Sequence, residues 1–153
     1  MKNTILKFGT YSGGIALLCF LAALYFGKGA SFTVQEIIGY TTIVVALSFI
    51  YFGIKYYRDQ KNNGHISIGK GIAIGLGIAA FAAAGIAIAD FIYTAYINPD
   101  FFKEYAETMK AQGSQEPIPD YGSGFMAMIM FITVMLIGLV ISLISALLLQ
   151  RKN

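Results

Sequence analysis

The chain has 153 residues, of which 57% are apolar and only 12% charged, with a formal net charge of +3. This excludes an ordinary soluble domain, because helices without a polar face must be buried in protein or lipid, and so short a chain has too little protein to bury them. One Cys and one His exclude an internal disulfide and leave zinc or thiolate chemistry without a ligand set.

Four long apolar stretches organise the sequence: Ile5–Phe26, Ile37–Ile54, Ile68–Ile97 and Phe125–Leu149. Each offers about 18 residues or more with almost no charge, which is what a hydrocarbon core of about 30 Å requires of a helix rising 1.5 Å per residue. The predicted fold class is all-α: an integral-membrane four-helix bundle, a single domain over residues 1–153, with a short amphipathic helix in the loop between the third and fourth spans.

The first span follows Lys2 and Lys7. Its apolar run, Phe8–Phe26, exceeds the core of a secretory signal, and Lys28 spoils the small-residue cleavage pattern ending at Ala30. Leu18 stands before Cys19 where a lipoprotein signal needs a small residue, so the span is expected to be retained and Cys19 to act as a small hydrophobe.

Glu36 begins the second span, which is expected to stay helical through Tyr56 and Tyr57 and to stop at Asn62-Asn63-Gly64. Tyr56, Tyr57 and Arg58 form an aromatic and basic anchor where an interface belongs. Ser67 is the predicted N-cap of the third span, with Lys70 in its first turn. From Gly71 to Ala89 that span contains only Gly, Ala, Ile, Leu and Phe, and then comes Asp90.

Asp90 follows Lys70 by 20 residues, about 30 Å of helix, which puts it near the far edge of the hydrocarbon at the depth of Glu36. Acids at membrane depth are costly and mark functional sites, and two that approach each other raise one pKa. The plainer reading is an interfacial carboxylate hydrogen-bonded within the bundle. Tyr93 and Tyr96 are expected as the aromatic anchor of this far interface.

Small residues recur every four positions in the third span, at Gly71, Gly75, Ala79, Ala83 and Ala87, and form a smooth ridge for close helix approach. Gly138, Ser142 and Ala146 give the fourth span a similar ridge, and Gly9 with Gly13 gives one to the first. Packing within one chain and homodimerisation along the third span both use such a ridge.

Asn98-Pro99 reads as an N-cap followed by proline at the first helical position, and Gly113 as the terminator of the loop helix. Phe101, Phe102, Tyr105, Ala106 and Met109 share its apolar face, and Lys103, Glu104, Glu107 and Lys110 share the other. Being net acidic, it gains nothing from anionic lipid and is expected to dock across the end of the bundle. The segment Ser114–Asp120, with Pro117 and Pro119, is expected to be an irregular tether. Met126, Met128 and Met130 suggest Cu(I), yet alternate residues of a helix diverge by about 200°, so three sulfurs do not converge.

Basic residues set the threading. Eight lie on one side (Lys2, Lys7, Lys55, Arg58, Lys61, Lys70, Arg151 and Lys152) and three on the other (Lys28, Lys103 and Lys110). Both termini are therefore expected in the cytoplasm. The long loop outside carries Asp100, Glu104, Glu107, Glu116 and Asp120, and the expected location is a bacterial inner membrane. The basic inner loop (Lys55, Arg58, Lys61 and Lys70) either attracts anionic lipid or serves only topology, and His65 within it is expected to be solvated.

Gly53-Ile54-Lys55-Tyr56-Tyr57-Arg58-Asp59, then Asn63-Gly64 and Ile66-Ser67-Ile68-Gly69-Lys70, resembles the central signature of domain-of-unknown-function family 4199. These are small bacterial membrane proteins common in Bacteroidota. Asn98-Pro99-Asp100-Phe101 with Tyr105 also resembles that family's outer loop, so the likeness covers nearly the whole chain. Ile68 departs from it, standing where the pattern has an aromatic residue. The resemblance implies the same topology and brings no activity or catalytic residue.

The residues offer no nucleophile–base pair, no phosphate-binding glycine loop after a strand and no carboxylates clustered with a histidine, so no enzymatic activity, cofactor or metal is expected. The expected partners are the bilayer, a second copy of the chain or other membrane proteins, and not nucleic acid. The favoured role is a structural or interaction subunit. The rival is a small permeation subunit acting as an oligomer, with Asp90 and Glu36 at its outer mouth.

Overall fold

The computed structural model describes residues 1–115, 117 and 119–151. The readings made above for Glu116 and Lys152, and for position 118 of the tether, lie outside the described residues. Helix α1 spans Lys2–Phe26, α2 Phe32–Lys61, α3 Ile68–Ile92, α4 Phe101–Ala111 and α5 Gly122–Leu149. A π-helical turn, Tyr93–Ile97, extends α3. Among the described residues, four helices are long and apolar enough to cross a membrane: α1, α2, α3 with its π turn, and α5.

Local chemistry sets the ends. Ser31 caps α2 by accepting from the Val34 amide at 3.4 Å, and Ser67 caps α3 by accepting from Lys70 at the same distance. Helix α2 thus begins a turn earlier than the hydropathy suggested, and Glu36 lies inside it rather than at its start. It stops where Asn63 (φ 52°) and Gly64 (φ 81°) turn left-handed, and the Gly64 amide returns to the Arg58 carbonyl at 2.8 Å.

The last turn of α3 was not legible in the sequence. The Asn98 amide bonds the Tyr93 carbonyl at 2.7 Å, one residue beyond the α-helical partner, and Pro99 then ends the run. Helix α4 starts at Phe101 with Asp100 in the cap position and no side-chain cap bond. The predicted cap at Asn98 is therefore two residues early. Asn98 is instead buried, and its amide Nδ2 donates to Glu104 Oε2 at 3.1 Å.

Helix α3 is the centre of the bundle. Half of its most apolar stretch (50%) is buried, against 22% for α1 and for α5. Its small residues let backbones meet: a Cβ on Gly71 would come within 2.7 Å of Ala146 Cβ, and one on Gly138 within 2.5 Å of Ala79 Cβ. Gly75 lies between these, against Ser142, so α3 and α5 run antiparallel with their ridges interlocked. On the other side α1 runs parallel to α3, with Gly9 and Gly13 against Phe81 and with Gly13 and Ala16 against Gly85.

Helix α2 crosses both neighbours. Ser12 donates to the Ala46 carbonyl at 2.6 Å, a fully buried bond between α1 and α2, and Gly53 of α2 meets Ile78 of α3 and Phe8 of α1. At the basic end the chain ties itself off. Ile66 and Arg151 exchange two backbone bonds of 3.2 Å, and Arg58 donates to the Leu149 carbonyl at 3.4 Å.

Candidate functional site

A cavity of about 330 Å³ lies at the α4 end of the bundle. Helix α2 supplies Phe32, Gln35, Glu36, Gly39, Tyr40 and Ile43, which recur at helical spacing along one side of the helix. Phe20 and Leu24 of α1 and Met126, Met130 and Thr133 of α5 form the facing walls, and α3 contributes Asp90 alone. Glu36 and Tyr40 are exposed, so the hollow opens along α2. Towards the basic end its lining reaches Ile43 of α2 and Thr133 of α5.

Helix α4 roofs this space with Phe101, Phe102 and Tyr105. Edge-on aromatic contacts hold it there: Phe32 packs against Phe101 at 5.9 Å and Tyr105 at 5.3 Å, and Tyr93 packs against Phe101 at 5.8 Å. The apolar face expected from the spacing is the face that docks, and its opposite face carries exposed Lys103, Glu107 and Lys110. Tyr93 is not an interfacial anchor. It is 1% exposed and belongs to the core beneath α4, whereas Tyr96 is 74% exposed.

The polar chemistry of the cavity is one-sided. Its lining holds two carboxyls, Glu36 and Asp90, and no basic side chain among the described residues. Asp90 Oδ2 is buried and has no hydrogen-bond partner among the described residues, which corrects the expectation of a carboxylate satisfied within the bundle. Nearby Thr94 donates to the Asp90 carbonyl at 2.8 Å and leaves the side chain alone. Gln35 donates through Nε2 to the Ala30 carbonyl at 3.0 Å, and its Oε1 is buried without a donor among the described residues. Buried acceptors of this kind are uncommon in folded proteins and each needs an explanation.

The other residues singled out in the sequence lie apart from this cavity. Gly71, Gly75 and Ala79 face α5, and Ala83 is fully buried. In the basic loop Lys55, Lys61 and Lys70 are exposed, while Arg58 is gripped by Asp59 at 2.6 and 3.1 Å. His65 is half-buried rather than solvated, and its Nδ1 is buried without a partner among the described residues. Met126 and Met130 line the cavity while Met128 is 50% exposed on another face, so the three sulfurs do not converge.

Gln35 was missed in the sequence, and its signal was available. Glu36 and Tyr40 place polar groups one turn apart on α2, with Gln35 next to Glu36 and Gly39 next to Tyr40.

The class is defined by these features: a helical bundle with four membrane-length helices and a roofed, acidic cavity at one end. The chain belongs to the family described as Protein of unknown function (DUF4199), whose model matches residues 7–151. No curated protein and no solved structure matches it.

Proposed function

We propose that this is a four-pass protein of a bacterial inner membrane, with both termini cytoplasmic, that serves as a structural or interaction subunit for other membrane components. The threading rests on the charge count of eight basic residues against three. The role rests on one observation, the sealed seam between α3 and α5 at Gly71–Ala146, Gly75–Ser142 and Ala79–Gly138. Backbones this close leave no polar path between α3 and α5, which supports a packed body over a conduit. The reading includes no enzymatic step.

The faces left for partners are apolar. On α5, Leu136, Val140, Leu143 and Leu147 are exposed, as Val44, Val45 and Phe52 are on α2. Lipid, a second copy or another membrane protein satisfies such surfaces equally well.

Purification from native membranes in mild detergent, with crosslinking beforehand, tests the role. A fixed stoichiometric assembly supports it, and a chain recovered only as a monomer refutes it. One observation favours the rival permeation reading: Glu36 and Asp90 share a cavity. In that case Asp90→Asn abolishes cation flux in liposomes, whereas a packing subunit shows no flux to lose.

A further inference from the structure

We propose that the cavity beneath α4 binds the protonated primary amine of an amphipathic molecule, with its ammonium at the carboxyls of Asp90 and Glu36 and its apolar body against the aromatic walls. The inference goes beyond the subunit role and does not depend on it.

The charge of the site has one sign. Asp90 and Glu36 put two carboxyls in the lining with no basic side chain among the described residues. The missing complement is positively charged and carries N–H groups, and an ammonium with three donors supplies both. A quaternary ammonium supplies charge without N–H donors for the two carboxyls.

The walls select against a bare metal ion. Six aromatic side chains (Phe20, Phe32, Tyr40, Phe101, Phe102 and Tyr105) line the space. No group of three or more His, Cys, Asp or Glu among the described residues could hold a metal. A hydrated ion would exchange water for rings, whereas an organic cation meets ring faces that attract it and surfaces that shelter its carbon skeleton. The volume, about 330 Å³, falls at the small end of ligand pockets.

A primary ammonium on an apolar body has two natural sources, a free amine and the headgroup of an aminophospholipid. The test uses the full chain in phosphatidylcholine nanodiscs. In one arm 2-phenylethylammonium is titrated against its neutral analogue propylbenzene, and in the other phosphatidylethanolamine replaces part of the phosphatidylcholine. Each arm is read as thermal stabilisation of the wild type and of Asp90→Asn.

Saturable stabilisation by the ammonium, weakened at least tenfold by Asp90→Asn and absent with propylbenzene, supports a free-amine site. Stabilisation by phosphatidylethanolamine alone, with the same dependence on Asp90, supports a headgroup site. Equal effects of the ammonium and propylbenzene in the wild type mean a hollow for any apolar filler and overturn the proposal, as does no effect in either arm. Should Asp90→Asn not fold, Glu36→Gln and the comparison of the two compounds on the wild type decide the same question.

Discussion

Gly75 of α3 lies so close to Ser142 of α5 that even one added carbon on the glycine would overlap the serine hydroxyl. Ser142 in turn donates to the Gly138 carbonyl at 2.6 Å, so the hydroxyl at the contact is already bonded within its own helix. The contact is one of packing, and small residues are what make it.

Gly75→Ala is therefore expected to lower stability by about 1–3 kcal/mol through overpacking, and Gly75→Leu to prevent the native α3–α5 seam from forming. Gly124→Ala is the control, since nothing lies within 4 Å of its would-be Cβ. It should be neutral or raise stability by up to about 1 kcal/mol through helix propensity. Denaturant unfolding in mixed micelles compares the three.

Asp90→Asn is expected to leave insertion and helix content intact and to cost no stability, because the carboxylate makes no bond that the amide would lose. Circular dichroism and thermal unfolding in detergent check this. Loss of the folded state in this variant would make Asp90 a structural group and remove the basis for an ion-handling role.

Asn98→Ala removes the part-buried bond to Glu104 that ties the π turn to α4. A loss of about 1 kcal/mol is expected, confined to the roof. Hydrogen exchange should quicken over residues 98–111 and stay unchanged in α3 below Asp90. Uniform quickening across the bundle would contradict the assignment of this bond to α4 docking.

Ser12→Ala deletes the interhelical bond to the Ala46 carbonyl. Bonds of this kind inside a bilayer average about 0.6 kcal/mol, so a small loss with unchanged helix content is expected. A much larger loss would mean that Ser12 carries more than this bond.

The bundle, the small-residue ridges and the apolar face of α4 were legible because each is periodic in the sequence. The seam partners follow from the same spacing: Gly71, Gly75 and Ala79 meet Ala146, Ser142 and Gly138 as two four-residue repeats in opposite directions. The cavity was only half legible. Depth counting brought Glu36 and Asp90 to one level, but it weighed only charged residues and so passed over the neutral Gln35 beside Glu36. Tyr93 was misjudged by its depth: its amide bonds the Ala89 carbonyl in ordinary α-helical register, so it continues the buried face of Ala82, Ile86 and Ala89.

The proposed threading sets α4 and the basic loop on opposite sides of a bilayer. Single cysteines at Gln112 and Gln150, in a Cys19→Ser background, should be labelled by a membrane-impermeant maleimide from opposite faces of intact cells. Gln112→Cys is expected to react from outside, and Gln150→Cys only after the membrane is opened. Reaction of both from the same face would contradict a four-span bundle.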